Sequence, residues 1–225
     1  SAMNAATTAS YSTIIGQGAN GTGVLTGDYN VCVGHNAGII LTSGYRNTFI
    51  GGVSGDSCST GYRNTCVGNI AGETLGSGNN CLILGYNAQS SAGDSQNQIT
   101  LGDANISYFR CNVQTINALS DGRDKTDVVD LPLGVDFINK LRPVKFKWDR
   151  RTPDETNGKV RAGFIAQDLQ EAQKGSEFMD LVLDENPDKL EAAYANLIPP
   201  MVQAIKELSA QNEALVARIT ALESN

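Results

Sequence analysis

Ser43-Gly44-Tyr45-Arg46-Asn47-Thr48-Phe49-Ile50-Gly51 returns seventeen residues later as Thr60-Gly61-Tyr62-Arg63-Asn64-Thr65-Cys66-Val67-Gly68. Extended in both directions, the closing glycine becomes a column: Gly16, Gly34, Gly51, Gly68, Gly85 and Gly102, spaced by 18 residues once and by 17 thereafter. Each ends a short run, namely Thr13-Ile14-Ile15, Val31-Cys32-Val33, Thr48-Phe49-Ile50, Thr65-Cys66-Val67, Leu82-Ile83-Leu84 and Ile99-Thr100-Leu101. A second column, Gly27, Gly44, Gly61 and Gly78, stands seven residues ahead of the first. A three-residue strand with two turns cannot bury a core by itself, so its copies must stack. The expected product is a parallel β-solenoid with coils of about 17 residues. Asn30, Asn47 and Asn64 hold matching positions and predict stacked amides or turn formers. Strands this short make a thin rod, and aromatics are only 6% of the chain. Several chains are therefore expected to pack together to complete the core. A hexapeptide helix is excluded, because stepping by six from Val67 gives Glu73 and then Asn79.

Composition marks where the repeat stops. Of the 24 glycines, 19 lie in residues 1–119, together with all 5 cysteines; all 6 prolines lie in 120–225. Residues 1–119 carry 5 acidic and 3 basic side chains, against 19 and 14 in the remainder. The expected domains are a shaft over 4–119 and a second domain over 120–225. Ser1-Ala2-Met3 reads as a cloning remnant. A net charge of -7 disfavours nucleic acid as a partner, since phosphate binding needs a basic face. No run is long and apolar enough to span a membrane, and the N-terminus lacks the order of a signal peptide.

Several motifs in the shaft are weaker than they look. Gly16-Gln17-Gly18-Ala19-Asn20-Gly21 matches a dinucleotide fingerprint, but Thr22–Gly27 has no helical face to follow it. The single histidine, His35, has no partner at metal-ligand spacing. Cys32 and Cys66 share a repeat position with Ile14, Phe49, Ile83 and Thr100 and read as small apolar fillers, while Cys58, Cys81 and Cys111 fall at unrelated positions. There is no C-x-x-C pair, and an odd number of cysteines argues against a complete disulfide framework. Neither a cofactor nor a metal is expected.

The second domain reads as a small α+β unit. Leu133–Leu141 forms one helical face, ended by Pro143. Val144–Trp148 alternates like a strand, Gly163–Leu169 begins a strand or leads into a helix, and Asp184–Asp188 is an acidic turn. Residues 190–225 carry four heptads. Ile198, Ile205, Asn212 and Ile219 are at a, and Tyr194, Met201, Leu208, Leu215 and Leu222 at d. A coiled coil is expected, with Asn212 as a register device. Isoleucine at a with leucine at d leans toward two strands. The attached solenoid favours three, and a homotrimer is the expected state.

The NTFIG and NTCVG runs resemble head repeats of trimeric bacterial adhesins and the shafts of viral fibres. At the junction, Ser120-Asp121-Gly122-Arg123-Asp124-Lys125 is followed by LRPVKFKWD (141–149), GFIAQDL (163–169) and YANLIPPMVQAIKEL (194–208). Together these resemble the intramolecular chaperone auto-processing family, which closes the C-termini of phage tailspikes, endosialidases, neck appendages and tail fibres and also occurs in myelin regulatory factor. The resemblance implies a domain that trimerises, templates folding of the chain upstream, and then cuts itself off. In the S-D-x-R-x-K pattern Ser120 is the nucleophile and Lys125 its base, with Asp121 and Arg123 in support, so the bond cut is Leu119–Ser120. Asp124 departs from the apolar residue often found there.

The chemistry is self-consistent. A serine hydroxyl needs a base, and a lysine serves where burial or nearby cations favour its neutral form. Backbone or Arg123 donors would hold the oxyanion, and Asp121 would orient Lys125 or the serine amide. The resemblance places the shaft in a virion, folded in the host cytoplasm, with the chaperone domain released after cleavage. The alternative is a non-cleaving adhesin or fibre with a permanent C-terminal clamp. A processed regulator like myelin regulatory factor is a third reading, ranked last because the acidic repeat offers no DNA-binding surface. A host cell-surface receptor or glycan would meet the shaft, although its few aromatics form no evident sugar-stacking platform.

Overall fold

The computed structural model describes residues 8–112, 116–151 and 156–224. Ser1–Met3 therefore lie outside the described residues. The chain forms two compact units, Ser1–Phe109 with Thr152–Thr156, and Arg110–Arg151 with Asn157–Asn225.

The first unit is the solenoid. Its strands β1 (Thr13–Ile15), β2 (Val31–Val33), β3 (Thr48–Ile50), β4 (Thr65–Val67), β5 (Leu82–Leu84) and β6 (Ile99–Leu101) make one parallel six-stranded sheet in sequence order. Register follows the sequence period, with Ile14 opposite Cys32, then Phe49, Cys66, Ile83 and Thr100. The closing glycine is required by close approach. Gly51 has φ +133°, and a Cβ there would lie 2.3 Å from the carbonyl oxygen of Gly68 on the next coil. Gly16–Gly21 forms turns and starts no helix, and His35 is exposed.

The buried core of the coils lies within one chain, while Ile15, Ile50, Val67 and Leu101 at the strand ends stay exposed. Three inward columns fill it. The strand centres Cys32, Phe49, Cys66 and Ile83 are completely buried, as are Leu25, Leu41, Cys58 and Leu75 and the small residues Ala37, Ala71 and Ala88. Cys58 thus stands in a leucine column and Cys81 follows Asn30, Asn47 and Asn64 in another, so neither is at an unrelated position. Burial pushes the thiols of Cys32 and Cys58 up to about 12, and that of Cys66 up as well.

The asparagines form a buried amide ladder. The Oδ1 of Asn30, Asn47 and Asn64 each accepts, at 3.0 Å, the backbone N–H one coil on, from Asn47, Asn64 and Cys81. Each Nδ2 donates to a glycine carbonyl of the next coil, Gly44, Gly61 or Gly78, at 2.8–2.9 Å. Polar groups with no access to water are thereby satisfied, which is what makes their burial tolerable.

In the second unit, α1 (Val135–Ile138) precedes the antiparallel pair β7 (Val144–Lys147) and β8 (Val160–Gly163). Then come α2 (Ala166–Ala172), the pair β9 (Val182–Leu183) and β10 (Glu191–Ala192), and α3 (Ile198–Glu223). Phe137, Leu169, Met179, Leu181, Val182 and Leu197 form its core. The Glu207 carboxylate on α3 accepts from Val135 N at 2.8 Å and so caps α1, and the same bond lowers its pKa. Arg142 Nη2 pairs with Asp168 at 2.9 Å, tying the chain after α1 to α2.

The C-terminal helix begins later than the heptads suggested. Residues 190–197 hold β10 and a 3-10 turn over Tyr194–Leu197, and the helix starts at Ile198, with Pro199 and Pro200 in a first turn that needs no N–H donors. Tyr194, assigned to a d position, packs edge-on against Phe164, and its hydroxyl accepts from Phe164 N at 3.1 Å. Among the described residues no helix is long and apolar enough to cross a membrane.

Candidate active site

Between the compact shaft and α1 the described residues Arg110–Asn112 and Ile116–Ser120 are exposed and hold neither helix nor strand. Leu119 is fully exposed, so the bond that follows it lies open to solvent. A single 3-10 turn, Gly122–Asp124, then reverses the chain, closed by Asp124 N to Asp121 O (3.2 Å) and Lys125 N to Gly122 O (3.3 Å).

Asp121 sets that turn. Its carboxylate caps the turn by accepting from Arg123 N at 2.9 Å and takes the Arg123 side chain through Nε (3.0 and 3.1 Å) and Nη2 (2.5 Å). The Arg123 guanidinium, followed by the backbone bond, holds the Asp121 carboxyl below the usual carboxylate range. The consequence lies at the two ends of the turn. Lys125 Nζ comes to 2.6 Å from Ser120 Oγ and 3.5 Å from the Ser120 carbonyl oxygen. A distance of 2.6 Å is within reach for proton transfer between the two groups.

Two supporting roles differ from expectation. Asp121 is committed to Arg123, not to Lys125 or the serine amide, so it shapes the turn that brings Ser120 and Lys125 together. Arg123 gives Nε and Nη2 to Asp121, which removes two of its donors from any oxyanion. Asp124 is exposed within the turn. All of Ser120–Lys125 is exposed in the single chain.

The eight heptad residues lie on α3 and away from this turn in sequence. Ile198, Met201, Ile205, Leu208, Leu215, Ile219 and Leu222 are between 43% and 75% exposed, and Asn212 is exposed among them. The face that α3 turns to its own domain is a different one, carrying Pro200, Ala204 and Glu207. An amphipathic helix packed only on its own domain would bury the stripe, and this one does not.

Residues 120–183 match the chaperone of endosialidase family. The match to this chaperone family begins at Ser120 and ends at the last residue of β9; α3 lies beyond it. No curated protein and no solved structure matches the chain.

Proposed function

We propose that residues 120–225 form a self-cleaving trimerisation chaperone for the shaft, with the shaft belonging to a viral tail fibre or appendage of the phage kind. The observation that carries this reading is the 2.6 Å approach of Lys125 Nζ to Ser120 Oγ at the first residue of the family match. In this reading the neutral Lys125 amine takes the Ser120 hydroxyl proton and Oγ attacks the carbonyl carbon of Leu119. The Leu119–Ser120 C–N bond breaks, the proton passes to the Ser120 nitrogen, and an ester joins Leu119 to Oγ. Water then hydrolyses the ester to a Leu119 carboxylate and restores the Ser120 hydroxyl.

Exposure of the dyad argues that cleavage follows assembly. In water an ammonium group is charged and cannot act as a base, and withdrawal from water favours the neutral amine. Three α3 stripes meeting would bring three junctions together and shield them. Before the cut the coil raises the effective concentration of three chains that must form long-range strand pairs; afterwards the shaft persists through its unfolding barrier.

Denaturing electrophoresis with intact mass measurement tests the proposal. The wild type should yield residues 1–119 and 120–225, whereas Ser120→Ala and Lys125→Ala should stay whole. A wild-type chain that remains intact after prolonged incubation as a trimer would leave a permanent clamp without catalysis.

A further inference from the structure

The turn before each strand of the shaft carries a further column of side chains, on the outside. Its left-handed corner is occupied in successive coils by Tyr11, Tyr29, Arg46, Arg63, Asn80 and Asn97, with φ between +54° and +61°. From Tyr29 on, backbone bonds to the preceding coil fix the corner, such as Arg46 N to Asp28 O (2.9 Å) and Arg63 N to Tyr45 O (3.0 Å). Asparagine tolerates this conformation and the last two coils use it; tyrosine and arginine hold it at a cost of roughly 1–2 kcal/mol each. Four strained corners in a row point to a role for their side chains.

Those side chains are organised. Tyr11 stacks on Tyr29, and Tyr45 on Tyr62, each pair with ring centres 5.0 Å apart and nearly parallel planes. The Arg46 guanidinium lies 5.9 Å from the ring centres of both Tyr29 and Tyr45, and that of Arg63 lies 5.8 Å from Tyr62. Both arginines are exposed, and among the described residues neither makes a salt bridge. Next to Arg63 a shallow depression of about 290 Å³ runs along Asn80 and Asn97, whose amides bond each other at 2.7 Å. Four of the shaft's aromatics, Tyr11, Tyr29, Tyr45 and Tyr62, which gave no evident platform in the sequence, thus line one edge.

We propose that this edge binds an anionic polysaccharide, with Arg46 and Arg63 taking the acid groups of neighbouring sugar units and Asn80 and Asn97 their hydroxyls. A guanidinium forks onto a carboxylate or sulfate with two parallel bonds, and one already held against a tyrosine ring loses less freedom in doing so. The stacked rings on adjacent coils stand 5.0 Å apart, about the length of one pyranose unit in a chain. Nucleic acid fits less well, because two arginines on a shaft with 5 acidic and 3 basic residues neutralise few phosphates.

Calorimetric titration of the full chain carrying Ser120→Ala, which makes the result independent of cleavage, tests the proposal. Probes are polygalacturonate, which offers a carboxylate on every unit, chondroitin sulfate, which alternates carboxylate and sulfate, neutral dextran, and an oligothymidylate. Binding of either acidic polysaccharide, weakened about tenfold or more by Arg46→Gln with Arg63→Gln and unchanged by Arg110→Gln, supports it. Polygalacturonate binding identifies carboxylate as sufficient, and binding of chondroitin sulfate alone identifies sulfate as required. No binding of either, equal binding by the double variant, equal binding of dextran, or tighter binding of the oligothymidylate would overturn it.

Discussion

Leu25, Leu41 and Leu75 in the shaft are completely buried, whereas Leu208, Leu215 and Leu222 on α3 are more than half exposed. Both sets recur at a fixed period, yet one is finished within the chain and the other is not. A 17-residue coil presents its apolar column to the coil before and after it, and the backbone ladder supplies both. A heptad stripe has nothing above or below to cover it, and α3 has already given a neighbouring face to its own domain, with Ala204 buried and Glu207 capping α1. Periodicity alone therefore does not say whether burial happens inside one chain; the geometry of the repeat does.

The sharpest way to break this comparison is to charge both surfaces. Leu208→Asp with Leu215→Asp should leave the second unit folded by circular dichroism, while light scattering falls from the proposed trimer to a single chain and cleavage stops with it. Unchanged mass would remove α3 from the assembly. In the shaft the reverse is expected. Phe49→Ala, which empties a completely buried ring site, should cost about 3–5 kcal/mol in denaturant unfolding and leave any association through α3 intact. Asn64→Ala should cost about 1–3 kcal/mol, since Cys81 N and Gly78 O lose their partner in a dry interior. Asn212→Leu, an exposed counterpart on α3, should leave the stability of the single chain unchanged.

Proton linkage gives the mildest contrast. For Cys32 and Cys58 the fold favours the neutral thiol, so their contribution is whole below the ordinary value of 9.0 and declines as pH rises from there toward about 12. Glu207 behaves oppositely. Its carboxylate is favoured in the fold, so its contribution is whole above 4.5 and declines as pH falls toward its lowered value. Unfolding followed separately for each unit should show the shaft weakening in alkali and the second unit in acid. Cys58→Ala should flatten the first profile and Glu207→Gln the second.

Much of this was legible before any coordinates. The glycine column marked all six strands to the residue, and at Gly16, Gly34, Gly51 and Gly68 the reason is contact between coils, because nothing larger fits against the next carbonyl. Cys58 and Cys81 were missed because equivalent positions accept unlike chemistry: a thiol is small and apolar enough to replace leucine and still a weak enough donor to stand in for asparagine. The outer column of Tyr29, Arg46 and Arg63 was hidden for a related reason, since exposed corners share a backbone conformation and not a residue type. At the junction the Ser120 and Lys125 pairing was visible only through the motif. The Asp121 and Arg123 fork arises from a 3-10 turn too short to leave a periodic trace.

The amide ladder has a direction. The side chains of Asn30, Asn47 and Asn64 each find a backbone donor and a glycine carbonyl on the side nearer the C-terminus, and Asn47 also reaches back to Asn30 Oδ1 through its N–H (3.0 Å) and Nδ2 (3.2 Å). Trimming coils from the N-terminal side would leave each remaining side chain its forward partners and orphan the backbone N–H of the first asparagine kept, while stopping the chain before Gly78 would strand both polar ends of Asn64. Shortening the shaft is therefore unequal at its two ends: a cut where the chain begins orphans one buried N–H of the column, and a cut nearer Ser120 orphans both ends of a buried amide.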